Sequence, residues 1–222
     1  GDKLLGDAAA NTFWGGAGDD TLTGRNGDDT LYGDEGLDLM IGGAGADVMD
    51  GGAGLNDRAQ YTDSGAGLRV DLQVSATNTG IAAGDVFIGI ENLYGSFGND
   101  SLLGDGGSNI IWGDAGNDML TGRNGDDTLN GGGGNDELTG GAGADRLIGG
   151  AGADTFIFDA ALGAGNVDTI TDYAVADDII HLENAIFTAL AAGGLAAGAF
   201  TIGAAATSAG HRVIYNATNG AL

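Results

Sequence analysis

The sequence GRNGDDTLY at residues 24–32 recurs almost unchanged as GRNGDDTLN at residues 122–130. Each nine-residue unit opens on Gly, has Asp in its sixth place and has a large apolar residue in its eighth place. Further units with the same spacing extend both copies, and a degenerate unit, GDAAANTFW, precedes the first block at residues 6–14. The units begin at Gly15, Gly24, Gly33, Gly42 and Gly51, and then at Gly95, Gly104, Gly113, Gly122, Gly131, Gly140 and Gly149. A fixed period in tandem predicts a solenoid, in which each repeat contacts only its neighbours.

Each unit divides into a run of six residues rich in Gly and Asp and a tripeptide such as Thr21-Leu22-Thr23. Gly supplies positive φ angles and Asp favours local hydrogen bonds, so the six residues are predicted to form a turn. The tripeptide is typical of a very short strand whose middle side chain points inward. Two units then form one coil, and stacked coils form two parallel sheets around a thin core. The predicted fold is therefore an all-β, parallel β-roll.

The net charge of −25, from 32 acidic and 7 basic residues, argues against nucleic-acid binding and requires counter-cations for compaction. Units two apart lie on the same side of the roll, which places Asp20 over Asp38 and Asp127 over Asp145. Carboxylates about 4.8 Å apart repel one another, and a divalent cation between them reverses the sign of that interaction. The available ligands are hard oxygens, which favour Ca²⁺ over Zn²⁺ or copper, and Mg²⁺ gives up its water too reluctantly.

The candidate calcium ligands are the residues in the sixth place of each unit or its equivalent. They are Asn11, Asp20, Asp29, Asp38, Asp47, Asp57, Asp100, Asn109, Asp118, Asp127, Asp136, Asp145 and Asp154. We expect roughly eight to eleven ions, since each Ca²⁺ takes 6–8 oxygen ligands. The amides of Asn11 and Asn109 predict weaker sites. One additional residue in GGAGLNDRAQY, at residues 51–61, leaves open whether Asp57 or Asn56 faces the ion.

The units resemble the consensus G-G-x-G-x-D-x-U-x of the hemolysin-type, or repeats-in-toxin (RTX), calcium-binding nonapeptide. This resemblance covers about half of the chain. It implies a calcium-stabilised β-roll in which the sixth-place Asp and backbone carbonyls hold Ca²⁺ between turns. It also implies a bacterial protein that is exported through a type I secretion channel and is therefore secreted, extracellular or on the cell surface.

Changes in period divide the chain into a first roll block at 1–58, a linker β segment at 59–94, a second block at 95–157 and a capping region at 158–222. The linker has two apolar alternations, which predict half-buried strands. They are Leu68, Val70, Leu72 and Val74, followed by Val86, Ile88 and Ile90. We interpret the linker as a spacer that continues the sheets, and the alternative is a ligand-binding insertion.

The capping region is expected to cover the open end of the roll, where unpaired strand edges and the core would otherwise be exposed. It contains short strands and an Ala-rich stretch at 185–199 that is predicted to be partly helical. Asp168 and Asp172 are candidates for one further ion, although solubilising surface charges are the preferred interpretation.

Catalytic motifs are absent from this sequence. His181 and His211 are far apart, neither lies in an H-E-x-x-H motif, and there is neither a G-x-S-x-G motif nor a Cys. We interpret both histidines as surface or cap residues and the chain as non-catalytic. No apolar run approaches the roughly 18 residues of a membrane-spanning helix.

Two kinds of function fit the pattern. The preferred interpretation is a module that folds on Ca²⁺ binding outside the cell and supports export and stability of a larger secreted protein. The alternatives are an adhesin, surface-layer or carbohydrate-binding module that contacts a cell surface or polysaccharide, or the C-terminal part of a secreted protease, lipase or epimerase. Ice binding is less well supported because the outward strand positions are chemically mixed.

Overall fold

The chain folds as an all-β parallel solenoid of about 9 turns in a computed structural model. The structure describes residues 1–62, 64–161 and 165–183, together with the backbone of two strands at 200–202 and 213–215. Two short 3-10 helices, Ser75–Thr77 and Gly80–Ala82, lie in the linker. This architecture confirms the predicted β-roll.

One face of the roll is a single sheet, here called the long sheet, in which every neighbouring pair of strands is parallel. Its strands, in spatial order, are β1 (Lys3–Leu5), β3 (Thr21–Asn26), β5 (Leu39–Ala44), β7 (Arg58–Gln60), β10 (Asn92–Tyr94), β12 (Ile110–Ala115), β14 (Thr128–Gly133), β16 (Arg146–Ala151) and β18 (Thr169–Ile170). Because β7 pairs directly with β10, this sheet runs through both repeat blocks.

The opposite face consists of two shorter parallel sheets. The first half-sheet contains β2 (Thr12–Ala17), β4 (Thr30–Glu35), β6 (Val48–Asp50) and β9 (Val86–Ile88). The second half-sheet contains β8 (Arg69–Asp71), β11 (Ser101–Leu103), β13 (Met119–Asn124), β15 (Glu137–Ala142), β17 (Thr155–Phe158) and β19 (Ile179–Leu182). The linker therefore contributes β9 to one half-sheet and β8 to the other.

The core is a thin ladder of eighth-place side chains, because the register brings these positions together in successive coils. Leu22 lies beside Met40 in the long sheet, and Leu120 lies beside Leu138 in the second half-sheet. The fully buried ladder contains Leu22, Leu31, Met40, Met49, Leu102, Ile111, Leu120, Leu129, Leu138, Leu147 and Phe156. The inward orientation of the middle strand residue is therefore as predicted.

The interior strands are longer than predicted. Strand β3 continues past its tripeptide through Gly24, Arg25 and Asn26, and its last two residues pair in register with Gly43 and Ala44. The prediction that all six Gly- and Asp-rich residues form a turn is wrong for the first three. Stacking gives the backbone of each turn a parallel partner in the next coil, and this partner extends the ladder.

The two linker alternations have different outcomes. Leu68, Val70 and Leu72 are buried around β8 as predicted, whereas Val74 is exposed. In β9 the prediction is wrong, because Val86 and Ile88 face solvent and Phe87 between them packs against the core. The register of β9 is set by Met49, which lies beside Phe87.

Past β17 the chain adds β18 to the long sheet and β19 to the second half-sheet, so the cap begins by continuing the roll. Strands β20 (Phe200–Ile202) and β21 (Val213–Tyr215) pair in parallel with each other. The Ala-rich stretch at 185–199, predicted to be partly helical, lies outside the described residues.

Candidate metal sites in two carboxylate rows

Acidic residues form two rows along the edges of the roll, each residue standing immediately before a strand. Within a row, the backbone N–H of one acid donates to the Oδ1 atom of the acid in the next coil. Asp118 donates in this way to Asp136 at 2.8 Å, and Asp127 to Asp145 at 2.9 Å. The stacking predicted from units two apart is therefore present. These bonds hold Oδ1 of each side chain and leave Oδ2 for another partner.

The row that precedes the strands of the long sheet, here called the long row, contains Asp20, Asp38, Asp57, Glu91, Asn109, Asp127, Asp145 and Asp168. The row on the opposite edge, here called the split row, has two parts. The first part contains Asn11, Asp29, Asp47 and Asp85, and the second contains Asp100, Asp118, Asp136, Asp154 and Asp178. All sequence-predicted ligands are thus in a row.

Most of these acids have a buried Oδ2 atom without a hydrogen-bond donor in the described part of the chain. They are Asp20, Asp29, Asp38, Asp47, Asp57, Asp118, Asp127, Asp136 and Asp145. A buried carboxylate oxygen without a partner is costly, and a buried charge is normally paired or coordinated to a metal. Such a repeated pattern indicates that a cation is the missing partner.

Carbonyl oxygens converge on the same positions, beside the first-place glycines. A β-carbon added to Gly122 would overlap Asp127 Oδ2 and would lie 2.7 Å from the carbonyl oxygen of Gly140 in the next coil. Gly131 is related in the same way to Asp136 Oδ2 and to the carbonyl oxygen of Gly149, also at 2.7 Å. Only glycine leaves room for both oxygens at this point.

This donor set fits Ca²⁺. Among the described residues, no three His, Cys, Asp or Glu side chains converge on one point. Such convergence is unnecessary here, because carboxylates from successive coils combine with backbone carbonyls, both of which are ligands that Ca²⁺ accepts in flexible geometry. When bound, the ion supplies the positive charge that the buried carboxylates lack.

The pKa values of the acids in the two rows reflect the lack of a positive charge beside them. Burial raises the pKa of Asp118 and Asp127 to about 7 and that of Asp47 and Asp136 to about 6. Neighbouring carboxylates raise these pKa values further, as Asp145 does for Asp127. Without a metal ion, a proton is the cation that these side chains would take up.

The geometry shows whether Asp57 or Asn56 occupies the row position in the unit that has one additional residue. Asp57 is completely buried, and its Oδ1 accepts the backbone N–H of Asp38 at 2.7 Å. Asn56 is exposed with a φ of 85° and absorbs the additional residue as a left-handed bulge. Asp57, rather than Asn56, therefore belongs to the row.

The two asparagines keep the stacking geometry of the rows but lack the charge. Asn109 N–H donates to Asp127 Oδ1 at 2.8 Å, and its side-chain Nδ2 donates to the Glu91 carbonyl oxygen at 2.8 Å. Asn11 N–H donates to Asp29 Oδ1 at 2.7 Å. Both residues lie where the sequence placed them.

Four members of the rows do not follow the nine-residue period: Asp85, Glu91, Asp168 and Asp178. Asp168 had been named as a candidate for a further ion, and the other three were missed. Asp85 Oδ1 accepts the N–H of Asp47 at 2.9 Å across 38 residues of sequence, and Asp178 Oδ1 accepts that of Asp154 at 3.0 Å. Each precedes a strand tripeptide with an apolar centre, as in DVFI at 85–88 and ENLY at 91–94. The second half of the repeat, an acid followed by x-U-x, would have identified all four.

The position of Asp168 contradicts the interpretation of this residue in the sequence. The preference for a solubilising surface charge is wrong, because Asp168 is 6% exposed and accepts the N–H of Asp145 at 3.1 Å. Asp172 is exposed and accepts the N–H groups of Gly149 at 3.0 Å and Gly150 at 2.8 Å.

His181 lies on the surface, with its Nε2 atom 3.4 Å from the carboxylate of Glu183, as expected for a cap residue. His211 lies outside the described residues. Of the helices in the described residues, neither has the length and apolar character needed to cross a membrane.

Parallel coils with two rows of buried oxygen donors define a metal-binding β-roll. A family model of the RTX calcium-binding nonapeptide repeat matches the chain in four copies, at residues 1–31, 23–56, 87–120 and 121–156. These matches cover more than half of the chain, which therefore belongs to this family and is a calcium-binding module. No curated protein matches the chain.

Proposed function

We propose that the two rows hold Ca²⁺ between successive coils and that the coils whose carboxylates lack donors fold only when these ions bind. The observation that carries this proposal is the series of buried Oδ2 atoms, each without a donor in the described part of the chain. In the proposed sites, Oδ2 of a sixth-place Asp and the carbonyl oxygen of a first-place Gly in the next coil are ligands. Asn11 and Asp154 complete this set toward the ends of the repeats, Asp168 and Asp178 extend it, and Asp85, Glu91, Asp100 and Asn109 continue the rows through the middle of the roll.

The number of ions follows from this arrangement. Roughly eight to eleven Ca²⁺ ions would bind, because neighbouring coils share each ion and Ca²⁺ takes 6–8 oxygen ligands. Ten ions would contribute about +20 against the formal charge of −25. Metal loading would thus convert a self-repelling chain into a nearly neutral one.

Calcium-dependent folding suits export through a narrow channel. In a cytoplasm with submicromolar Ca²⁺ the chain would be unfolded and threadable, and the millimolar Ca²⁺ outside the cell would fold it. We therefore propose a secreted or cell-surface location, reached by a type I secretion apparatus. The chain would be a non-catalytic part of a larger secreted protein whose stability it supports.

Ion selectivity tests this proposal. A chelator-stripped sample titrated separately with Ca²⁺ and Mg²⁺ should acquire near-ultraviolet circular dichroism from Trp14 and Trp112 only with Ca²⁺. The reason is that Mg²⁺ demands strict octahedral geometry and retains water, whereas these rows offer flexible carboxylates and carbonyls. Equal folding by both ions, or by neither, would refute the proposed sites.

A second candidate function is contact with a cell surface or polysaccharide, and it is supported by aromatic residues on the outer face of the long sheet. Tyr94 and Trp112 stack with ring centroids 4.9 Å apart, and the guanidinium of Arg58 lies 4.3 Å from the Tyr94 centroid. A groove of about 280 Å³ adjoins them, lined in part by Leu39 and Asn92. Planar aromatic and amide groups of this kind can bind sugars.

Polysaccharide binding by the calcium-loaded chain tests this candidate. Trp112→Ala should abolish retention on a polysaccharide affinity gel, and Val175→Ala, which removes an apolar side chain that is 86% exposed on the cap against 42% for Trp112, should not. Loss of retention in both variants, or in neither, would argue against a site at Trp112.

A further inference from the structure

The unpaired carboxylate oxygens fall into two groups along the roll. In the described residues, the first group ends at Asp57 and the second begins at Asp118. Between them, the acids of the rows receive hydrogen bonds from the protein itself. Tyr61 donates its hydroxyl to Asp85 Oδ2 at 2.7 Å, and Ser96 donates its hydroxyl to Asp100 Oδ1 at 2.7 Å and its N–H to Oδ2 at 2.6 Å.

Asp71, at the end of β8 and outside the two rows, is also a buried acid that receives hydrogen bonds from the protein itself. It is 2% exposed, and Arg123 from the second block donates to both of its oxygens, Nη1 to Oδ1 at 2.9 Å and Nη2 to Oδ2 at 2.8 Å. Oδ1 also accepts the N–H groups of Gln73 at 3.0 Å and Val74 at 2.9 Å, and Arg69 donates to Oδ2 at 3.2 Å. A bidentate guanidinium pair of this kind is among the strong hydrogen-bonded contacts in proteins.

The guanidinium of Arg123 also donates to the carbonyl oxygen of Gly104. Gly104 is a first-place glycine, and the corresponding carbonyl oxygens of Gly140 and Gly149 are those that converge with a carboxylate Oδ2 at the proposed calcium sites. At this coil, therefore, a positively charged side chain contacts a first-place carbonyl oxygen and a buried carboxylate, the two kinds of group that a metal ion would join in the proposed sites.

The repeat itself does not create this contact. Arg25 occupies the same place in the matching unit of the first block, with a φ of 84° against 86° for Arg123. Arg25 is exposed, and no carboxylate of the described residues pairs with it. The carboxylate that Arg123 contacts is Asp71, which belongs to the linker strand two places from β13 in the second half-sheet. The linker therefore supplies the anion that makes Arg123 an internal cation.

We infer that residues 64–109, together with Tyr61 and Arg123, form a calcium-independent junction in the middle of the roll, with a calcium-dependent arm on either side. In the junction, Arg123, Tyr61 and Ser96 do for the buried carboxylates what Ca²⁺ does in the arms. The junction orders first and offers a paired strand edge to each arm, which lowers the cost of closing the first coil there. This inference rests on the proposed calcium rows in the arms.

Hydrogen–deuterium exchange measured by mass spectrometry tests the junction directly. The wild-type chain, Arg123→Gln and the matched control Arg25→Gln are compared in excess chelator and in saturating Ca²⁺. In chelator, wild-type amides in 69–71, 86–94 and 101–103 should exchange at least about tenfold more slowly than amides in the arms at 21–44 and 128–151. Arg123→Gln should remove this protection, and Arg25→Gln should leave it intact.

Asp71→Asn provides a second variant that removes the charge and retains an oxygen acceptor, and it should behave as Arg123→Gln does. In Ca²⁺ the arms of every variant should be protected, which shows that the substitutions have not prevented folding. Junction amides that exchange as fast as the arms in wild type, or equal effects of Arg123→Gln and Arg25→Gln, would overturn the inference. Arms that gain no protection in Ca²⁺ would instead refute the proposed function.

Discussion

Asp127 and Asp145 are joined by a hydrogen bond of 2.9 Å from the backbone N–H of the first to Oδ1 of the second, and the Oδ2 atoms of both are buried without a donor from any described residue. One oxygen of each carboxylate thus fixes the spacing of two coils, and the other is free to bind a cation. Because each acid contacts its neighbour in this way, an ion bound at one coil positions the ligands of the next. Calcium binding and coil stacking are therefore expected to be cooperative.

The ligand assignment predicts a difference between adjacent acids. Asp127→Asn removes the charge at Oδ2 and keeps the oxygen at Oδ1, so it should lower the free energy of unfolding in Ca²⁺ by roughly 1–3 kcal/mol. Asp126→Asn makes the same charge change on an exposed neighbour and should alter it by no more than about 0.5 kcal/mol. Urea denaturation in saturating Ca²⁺ gives both values. Equal effects would show that the sixth place is not the ligand position.

The sixth-place amide provides a related comparison. Asn109→Ala removes a side chain that carries no charge, so the number of bound ions should remain that of the wild type, whereas Asp127→Ala should lose one or two. Elemental analysis after desalting counts the ions. Calcium-dependent stability lost to the same extent in both variants would contradict the assignment.

The close approach of two oxygens to the first-place glycines predicts opposite outcomes for two Gly→Ala substitutions. A β-carbon at Gly122 would overlap Asp127 Oδ2 and crowd the Gly140 carbonyl oxygen, so Gly122→Ala should destabilise the calcium-loaded roll by about 2 kcal/mol or more. At Gly133 no described atom lies within 4 Å, so Gly133→Ala should be neutral or stabilising by about 0.4–1 kcal/mol. Thermal unfolding in Ca²⁺ distinguishes them. A tolerated Gly122→Ala would mean that the two oxygens do not share a ligand position.

The sequence predicted the parallel roll, the inward ladder and the stacking of Asp127 over Asp145, because all three follow from a strict period of nine. It did not predict Asp85 or Glu91, whose partners lie 38 and 34 residues away along the chain. Nor could it predict the pair between Asp71 and Arg123, since the linker length gives no information about which coil β8 joins. The nine-residue period therefore predicts the structure of the arms. The structure of the junction depends instead on contacts between the linker, which lacks this period, and residues far away along the chain.

The raised pKa values predict competition between protons and calcium. Burial raises the pKa of Asp118 and Asp127 to about 7, from an ordinary value of 3.8. The folded metal-free chain therefore binds protons more tightly than the unfolded chain between these values, so this contribution to stability is present at acidic pH and is lost as pH rises through 7. Without Ca²⁺, β structure measured by circular dichroism should increase as pH falls from 8 to 5.

The same competition should raise the Ca²⁺ concentration needed for half-maximal folding as pH falls, since a protonated carboxylate is a poor ligand. Asp126→Asn, as an exposed control, should follow the wild-type pH profile. A calcium midpoint that is constant between pH 8 and 5.5 would contradict the assignment of buried carboxylates as ligands.

Metal content should match the length of the rows. We expect roughly eight to eleven Ca²⁺ ions per chain by elemental analysis of a sample equilibrated in millimolar Ca²⁺. Each ion neutralises two carboxylate charges, so electrophoretic mobility toward the anode should fall in parallel. Only one or two ions per chain would contradict the view that the repeats are ligands.

Coupling between metal and fold is tested most directly by small-angle scattering and far-ultraviolet circular dichroism of a chelator-stripped sample during one Ca²⁺ titration. Without Ca²⁺ the arms repel themselves, and a core of one apolar residue per unit does not offset the entropy of ordering 47 glycines. The radius of gyration should fall from about 50 Å toward roughly 20 Å, and β structure should appear in the same cooperative step at submillimolar to millimolar Ca²⁺. A chain that is already compact and rich in β structure in excess chelator would contradict calcium-triggered folding.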